Sequence, residues 1–175
     1  MQKTNTLMQF SMQNLRHVFQ KKGFRTVVLN SEKEVKDFIN TEIPDKTKIG
    51  LGNSMTACKL NVRHLLATKG CTIFYSWDGN ESYNRSLDIF EIPLGPEYYI
   101  TRITALTTLG EILIKDYNKN AAGRDKFPMH TIAFAGLNRL VEELEDMESI
   151  VKYPVIRNCP KDIEFTIALL PFLDY

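Results

Sequence analysis

The sequence predicts an α/β protein: a three-layer α/β/α sandwich around a mixed, mainly parallel sheet. Three observations predict it. Short apolar runs alternate with helix-patterned segments, strand, helix, strand, helix, strand within about 50 residues, the mark of parallel βαβ winding. The runs Val27-Val28-Leu29, Cys71-Thr72-Ile73-Phe74-Tyr75 and Thr131-Ile132-Ala133-Phe134-Ala135 are near-continuous, as strands buried on both faces require. The chain has 175 residues, 43% apolar and 25% charged, enough for a substantial core without disulfides or metal. That composition excludes intrinsic disorder, a collagen-like chain and a coiled coil. Nothing in it divides the chain. We expect one domain over 1–175, an N-terminal helix over 1–22 and an α/β core over 25–175.

Each element has a local reason. Met8, Met12, Leu15 and Phe19 fall on one helical face. Lys21 and Lys22 suit the negative end of that helix, and Gly23 suits its stop. Val27 to Leu29 reads as a strand. Ser31 with Glu34 has the form of a capping box opening a helix that turns Val35, Phe38 and Ile39 inward. Pro44-Asp45 breaks it. A strand follows from Lys48 to Leu51, then Gly52-Asn53-Ser54, then a helix through about Thr68 that Gly70 ends. Cys71 to Tyr75 is the next strand. Asp78-Gly79-Asn80 is a turn, Ser82 to Leu87 a short helix, and Pro93, Gly95 and Pro96 mark an irregular loop. Tyr98 to Thr107 and Glu111 to Lys115 read as an antiparallel hairpin about Leu109-Gly110. Asn118 to Lys126 is a polar excursion. Thr131 to Ala135 is a buried strand, Gly136-Leu137-Asn138 a turn, and Val141 to Val151 an acidic helix. Phe165 to Leu170 fits strand or helix.

Charge and cysteine content narrow the function. The 22 basic and 21 acidic residues leave +1, without the basic excess of a nucleic-acid-binding protein. Cys58, Cys71 and Cys159 are far apart and form no C-x-x-C pair, so this chain builds no zinc ribbon or iron–sulfur cluster by itself. They read as reduced thiols. Residues 1–20 lack the apolar run of a signal peptide, and no stretch approaches a membrane span. We expect a cytoplasmic protein with no metal, no resident cofactor, and no nucleic-acid or membrane partner.

The strongest chemical signal is Ile49-Gly50-Leu51-Gly52-Asn53-Ser54-Met55-Thr56-Ala57, where a strand hands over to a helix. Gly50 and Gly52 let backbone approach a ligand. Asn53, Ser54 and Thr56 add polar side chains, and the helix start adds partial positive charge. The pattern suits a small anion, a carboxylate or phosphate. It equally suits a plain turn in which Ser54 or Asn53 caps the helix. It is neither a Walker A loop nor a G-x-G-x-x-G fingerprint. It resembles the G-L-G-T-G-S-T-A phosphate loop of ribose-5-phosphate isomerases, and so the sugar-isomerase and coenzyme A transferase-like fold. The D-G-A-D-E catalytic motif of those isomerases has no counterpart here.

A longer resemblance runs from Ile49 to Met147. Gly52-Asn53-Ser54-Met55-Thr56, then Arg85 with Asp88, then Thr101 through Gly110, then Ala135-Gly136-Leu137-Asn138-Arg139-Leu140-Val141 occur in order. This series resembles the LUD (lactate-utilisation) domain, as in lactate utilisation protein C. That family shows G-x-S-x-T, an A-D pair, N-A-I-T-x-D-G, G-N-R and G-x-N-K-I-V in the same order. The chain departs from it at several points. A-D is Leu87-Asp88 here. N-A-I-T-x-D-G is Thr104-Ala105-Leu106-Thr107-Thr108-Leu109-Gly110. G-N-R falls on Lys119-Asn120-Ala121, with Arg124 displaced, and N-K is Asn138-Arg139. The resemblance implies a non-cluster component of a system oxidising lactate to pyruvate, working with partner subunits that carry iron–sulfur clusters.

Other readings stay open. A stand-alone enzyme for a phosphorylated or coenzyme A-bearing small molecule would use the glycine loop. A purely structural interaction module would use it only as a cap. Asn120 and Arg124 could supply an amide and a guanidinium to the same anion, or lie on a solvated surface. His17, His64 and His130 are scattered, and no histidine or acid stands beside Ser54 in sequence to make it a nucleophile. Trp77-Asp78 follows a strand at its carboxyl end, a core cap and turn opener or a ligand contact.

Overall fold

The computed structural model describes residues 2–52, 54–75, 96–114, 128–141, 144 and 155–172. The chain opens with helix α1 (Gln2–Lys21), whose Met12, Leu15 and Phe19 are buried. The Met8 side chain lies outside the described residues. Gly23 stops the helix with φ +87°. Its amide donates to the Gln20 carbonyl at 3.1 Å, and the Phe24 amide donates to the Phe19 carbonyl at 3.1 Å. This is a Schellman closure. Its usual apolar contact is present as well, with the Phe19 and Phe24 rings edge to face at 5.9 Å.

Strand β1 (Arg25–Val28) leads to α2 (Glu32–Glu42). The Ser31 hydroxyl accepts from the Glu34 amide at 3.2 Å, while the Glu34 carboxylate reaches back to the Asn30 amide at 2.8 Å. The capping box is therefore present, with its return bond one residue further back than the usual form. Then come β2 (Lys48–Leu51), α3 (Met55–Lys59), α4 (Val62–Thr68) and β3 (Thr72–Tyr75). The single helix expected from Ser54 to Thr68 is two. Asn61 adopts φ +52°, a left-handed conformation that asparagine tolerates better than most residues, and this breaks the helix. The break buries both Leu60 and Val62.

The remaining strands are β4 (Tyr98–Arg102), β5 (Ala105–Thr107), β6 (Ile112–Leu113), β7 (His130–Gly136), β8 (Leu140–Val141), β9 (Val155–Ile156) and β10 (Glu164–Leu170). The hairpin expected over residues 98–115 holds only for its inner part. β5 pairs antiparallel with β6, but Tyr98 to Arg102 leaves it to join the main sheet. Sequence periodicity does not reveal this, because Ile103 and Thr104 carry no turn signal. Phe165 to Leu170 resolves as strand. Leu140 and Val141 form a short strand at the point where the sequence predicts the start of the acidic helix. Most of that segment, together with Trp77-Asp78, Arg85, Asp88, Ser82 to Leu87 and Asn118 to Lys126, lies outside the described residues.

The main sheet has six strands in the order β1-β10-β7-β4-β2-β3, every neighbouring pair parallel. The antiparallel pairs belong to a second, four-stranded sheet, β8-β5-β6-β9. Helices α2, α3 and α4 cover one face through Val35, Ile39, Leu60 and Leu66, packed on Ile49, Ile100 and Phe134. Helix α1 and the small sheet cover the other, where Phe19, Leu106 and Ile112 meet Tyr99, Phe165 and Ile167. β10 shows the two-sided burial directly. Phe165, Ile167 and Leu169 face α1, while Ala168 and Leu170 face the other helices. The three-layer α/β architecture holds, and the small sheet shares one outer layer with α1.

At the amino edge, Arg25 forks onto Glu42 at 2.5 and 2.6 Å and approaches Glu164 at 3.6 Å. Glu164 also meets His130 Nδ1 at 3.0 Å. The Arg25 hydrogen bond holds the Glu42 carboxyl below its ordinary value of 4.5. A depressed carboxyl contributes stability that is full above its unfolded pKa and is lost as pH falls through the lowered folded value. Glu42→Gln should therefore remove up to about 1 kcal/mol at neutral pH, discounted for solvent screening. The difference from the parent should begin to shrink as pH falls below 4.5 and vanish once the pH is under the lowered folded value, where Glu42 is protonated in both states. Urea midpoints measured across that range check this. A difference that persists undiminished in acid would show that the ion pair is not its source.

Candidate functional site

The chain runs from β2 outward to β3, then returns through β4, β7 and β10 toward β1. The connections leaving β2 and β4 thus depart in opposite directions from neighbouring strands. That reversal is a topological switch point, and in open parallel sheets ligands bind outside the carboxyl ends of the strands at such points. The glycine loop lies there. Gly52 donates its amide to the Ile100 carbonyl of β4 at 2.8 Å, which stitches the start of the loop to the neighbouring strand.

Ser54 is buried, and its hydroxyl accepts from the Ala57 amide at 3.1 Å, the N-cap of α3. Thr56 sits half-buried in the first helical turn. Gly50 lies two residues before the loop, inside β2 between Phe74 and Tyr99. Cap and anion roles are compatible. The cap uses the Ser54 oxygen as acceptor and leaves its O–H able to donate, and the first amides of a helix have no intrahelical acceptor. Asn53, Asn120 and Arg124 lie outside the described residues.

Two arginines that sequence reasoning did not assign to the site lie at the end of β4 and just past the end of β7. Arg102 is the last residue of β4, in register with Phe134 of β7. Ile100 faces the α2–α4 layer, so strand alternation turns Arg102 the same way, toward α3. Arg139 ends the short 3₁₀ turn Leu137–Arg139 that follows β7. Both are half-buried. The Arg139 pKa is pushed down, first by burial and then by the charge of Arg102. The signal was available in part: an arginine ends each of two strand-like runs or their turns. Only the strand order shows that those runs are adjacent.

No histidine, cysteine, aspartate or glutamate cluster suited to a metal occurs among the described residues. Cys58 is exposed, and Cys71 and Cys159 are half-buried and unbridged. None of the described helices is long and apolar enough to cross a membrane.

The sheet and this edge define the class: a parallel α/β protein whose glycine loop lies at the switch point of its main sheet. The LUD domain profile matches residues 12–166, and the chain belongs to the LUD domain family, which is associated with lactate utilisation. Among solved structures, a DUF162 family protein from Deinococcus radiodurans is similar in fold, with TM-score 0.55 and 9% identity over 94% of this chain and 98% of that one. No curated protein matches the chain.

Proposed function

We propose that this protein is a non-cluster component of a lactate-utilisation system and binds a small anion in the crevice between the carboxyl ends of β2 and β4. The observation that carries the reading is the placement of the glycine loop and Arg102 at the neighbouring carboxyl ends of β2 and β4, at the switch point of the parallel sheet. Family membership supplies the metabolic setting. The loop offers backbone amides and the Ser54 and Thr56 hydroxyls, and Arg102 offers charge, a set suited to carboxylate or phosphate oxygens. Electron transfer in such a system falls to cluster-bearing partner subunits, because three dispersed cysteines do not hold a cluster here. Asn53, Asn120 and Arg124 are proposed as further ligands.

Titration calorimetry with lactate, pyruvate and phosphate at low ionic strength tests the reading. Ser54→Ala should weaken anion binding by about 1–2 kcal/mol, the scale of a hydrogen bond to a charged group. Arg124→Ala should weaken it too, while changing stability by no more than about 0.5 kcal/mol. Absence of binding by all three anions would sink the reading.

A further inference from the structure

We infer that the cleft at the amino edge of the main sheet, lined by Glu164, Thr166 and Tyr98, is a binding site for a primary ammonium group. It lies at the opposite end of the strands from the crevice proposed above and stands independently of it.

Strand register builds the cleft. Tyr98 begins β4, His130 begins β7 and Glu164 begins β10, and the three are in register across neighbouring strands. Two residues further in, Ile132 and Thr166 share the face of Phe134 and Ala168 on their own strands, the face that α2 covers. Glu42, the last residue of α2, and Arg25 of β1 close the side. The space is about 30 Å³. One water needs about 10–15 Å³ on that measure, so the cleft admits two or so non-hydrogen atoms.

Two observations point to a ligand. Thr166 is 3% exposed and lines the cleft, and no hydrogen bond among the described residues engages its hydroxyl. Buried hydroxyls are ordinarily hydrogen-bonded, so this one calls for a partner inside the cleft. The second observation is charge. Arg25 is held by both oxygens of Glu42 and is only approached by Glu164, at 3.6 Å. Two carboxylates thus face one guanidinium. His130 Nδ1 meets Glu164 Oε2 at 3.0 Å, a contact that a neutral imidazole makes as donor, and a carboxylate offers further acceptor positions. The Tyr98 pKa is pushed up, first by burial and then by the charges of Glu164, Glu42 and Glu97, which marks negative potential over the cleft.

That potential favours a cation, and size chooses which. A primary ammonium is compact and carries three N–H donors, suited to the Glu164 carboxylate and the Thr166 hydroxyl, while Ile132 and the Tyr98 ring offer apolar surface to the carbon beside it. A guanidinium brings four non-hydrogen atoms into a space for about two. A divalent metal would need a ligand cluster that the described residues do not form. The ammonium belongs to a free alkylamine or to a lysine side chain.

The test is an amide NMR titration of the full chain with ethylamine, Nα-acetyl-lysine amide, ethylguanidine and ethanol, at ionic strength held constant with KCl. A pH of about 7.5 keeps free imidazole largely neutral and an alkylamine charged. We expect ethylamine and the lysine amide to shift the amides of His130, Glu164 and Thr166 saturably, with a Kd of about 1–10 mM, the scale for so small a ligand. Ethylguanidine should bind more weakly, and ethanol should not saturate. Glu164→Gln should lower ethylamine affinity about tenfold or more, and Thr166→Val about three- to tenfold, the losses of a charge-assisted and a neutral hydrogen bond. Tighter binding of the lysine amide than of ethylamine assigns the source as a lysyl side chain, and binding no tighter assigns recognition to the ammonium group alone. The comparison among ligands uses the parent chain, so it stands whether or not either variant folds. Shifts that KCl reproduces, no saturable shift at these amides, ethylguanidine or ethanol binding as tightly as ethylamine, or folded variants with unchanged affinity would each overturn the inference.

Discussion

Phe19→Ala should destabilise the protein by about 3–5 kcal/mol, the range for deleting a fully buried phenylalanine side chain. Phe19 is 0% exposed and stands at the end of α1, where the chain turns back into the sheet. Its ring meets Phe24 edge to face at 5.9 Å, and Phe24 meets Phe165 of β10 at 5.4 Å in the same manner. Phe19 packs on Phe24 of the Schellman closure, and Phe24 in turn meets β10, all within one buried cluster. Leaving a cavity there removes apolar contact from all three at once, and the backbone bonds of the Gly23 turn prevent the helix from collapsing into it. The loss should also reach the candidate site. Ile103, next to Arg102, and Tyr99, in the same strand, belong to the same apolar cluster as Phe19. Urea unfolding followed by circular dichroism measures the effect. A loss below about 1 kcal/mol would mean that α1 contributes little to the packing of the sheet.

Gly110→Ala should cost about 2–5 kcal/mol, large for the addition of one methyl group, and two separate causes contribute. Gly110 has φ +77°, where a Cβ is penalised by roughly 1–2 kcal/mol. The added carbon would also lie 2.6 Å from Val18 Cγ1 and 3.1 Å from Lys22 Cδ, both on or beside α1. Inserting carbon into a packed contact adds about 1–3 kcal/mol. The Gly110 amide donates to the Thr107 carbonyl at 3.1 Å, so the turn cannot simply swing away from the helix. Val18→Ala combined with Gly110→Ala separates the causes. The double variant should recover the steric part and keep the backbone part, with a coupling of about 1 kcal/mol or more. Strict additivity would assign the whole effect to the backbone.

These two positions show how different kinds of information reside in the chain. The Met12, Leu15, Phe19 stripe is local and periodic, so the helix and its inward face are legible in the amino-acid order alone, as is the Gly23 stop. The need for glycine at 110 is legible there only as a turn. That the turn lies against Val18 follows from the packing of the small sheet under α1, which no local pattern encodes.

The candidate site divides in the same way. The Gly52–Thr56 loop announces itself because a strand-to-helix handover is written in consecutive residues, and Ser54 does cap a helix as that pattern requires. The parallel sheet and its two covered faces follow from apolar runs separated by helical periods. Strand order does not, since it depends on which nonlocal pairings bury the most surface once helices occupy both faces. That order places β4 between β2 and β7, draws Tyr98–Arg102 out of the expected hairpin, and brings Arg102 to the strand end beside the glycine loop. The α/β class, the family and the glycine loop are thus written in the chain itself, because their causes are short-range or lie in shared motif order. Which cation stands at the strand end beside that loop is settled by tertiary pairing alone, because Gly52 and Arg102, 50 positions apart in the chain, come to neighbouring strand ends only when β2 pairs with β4.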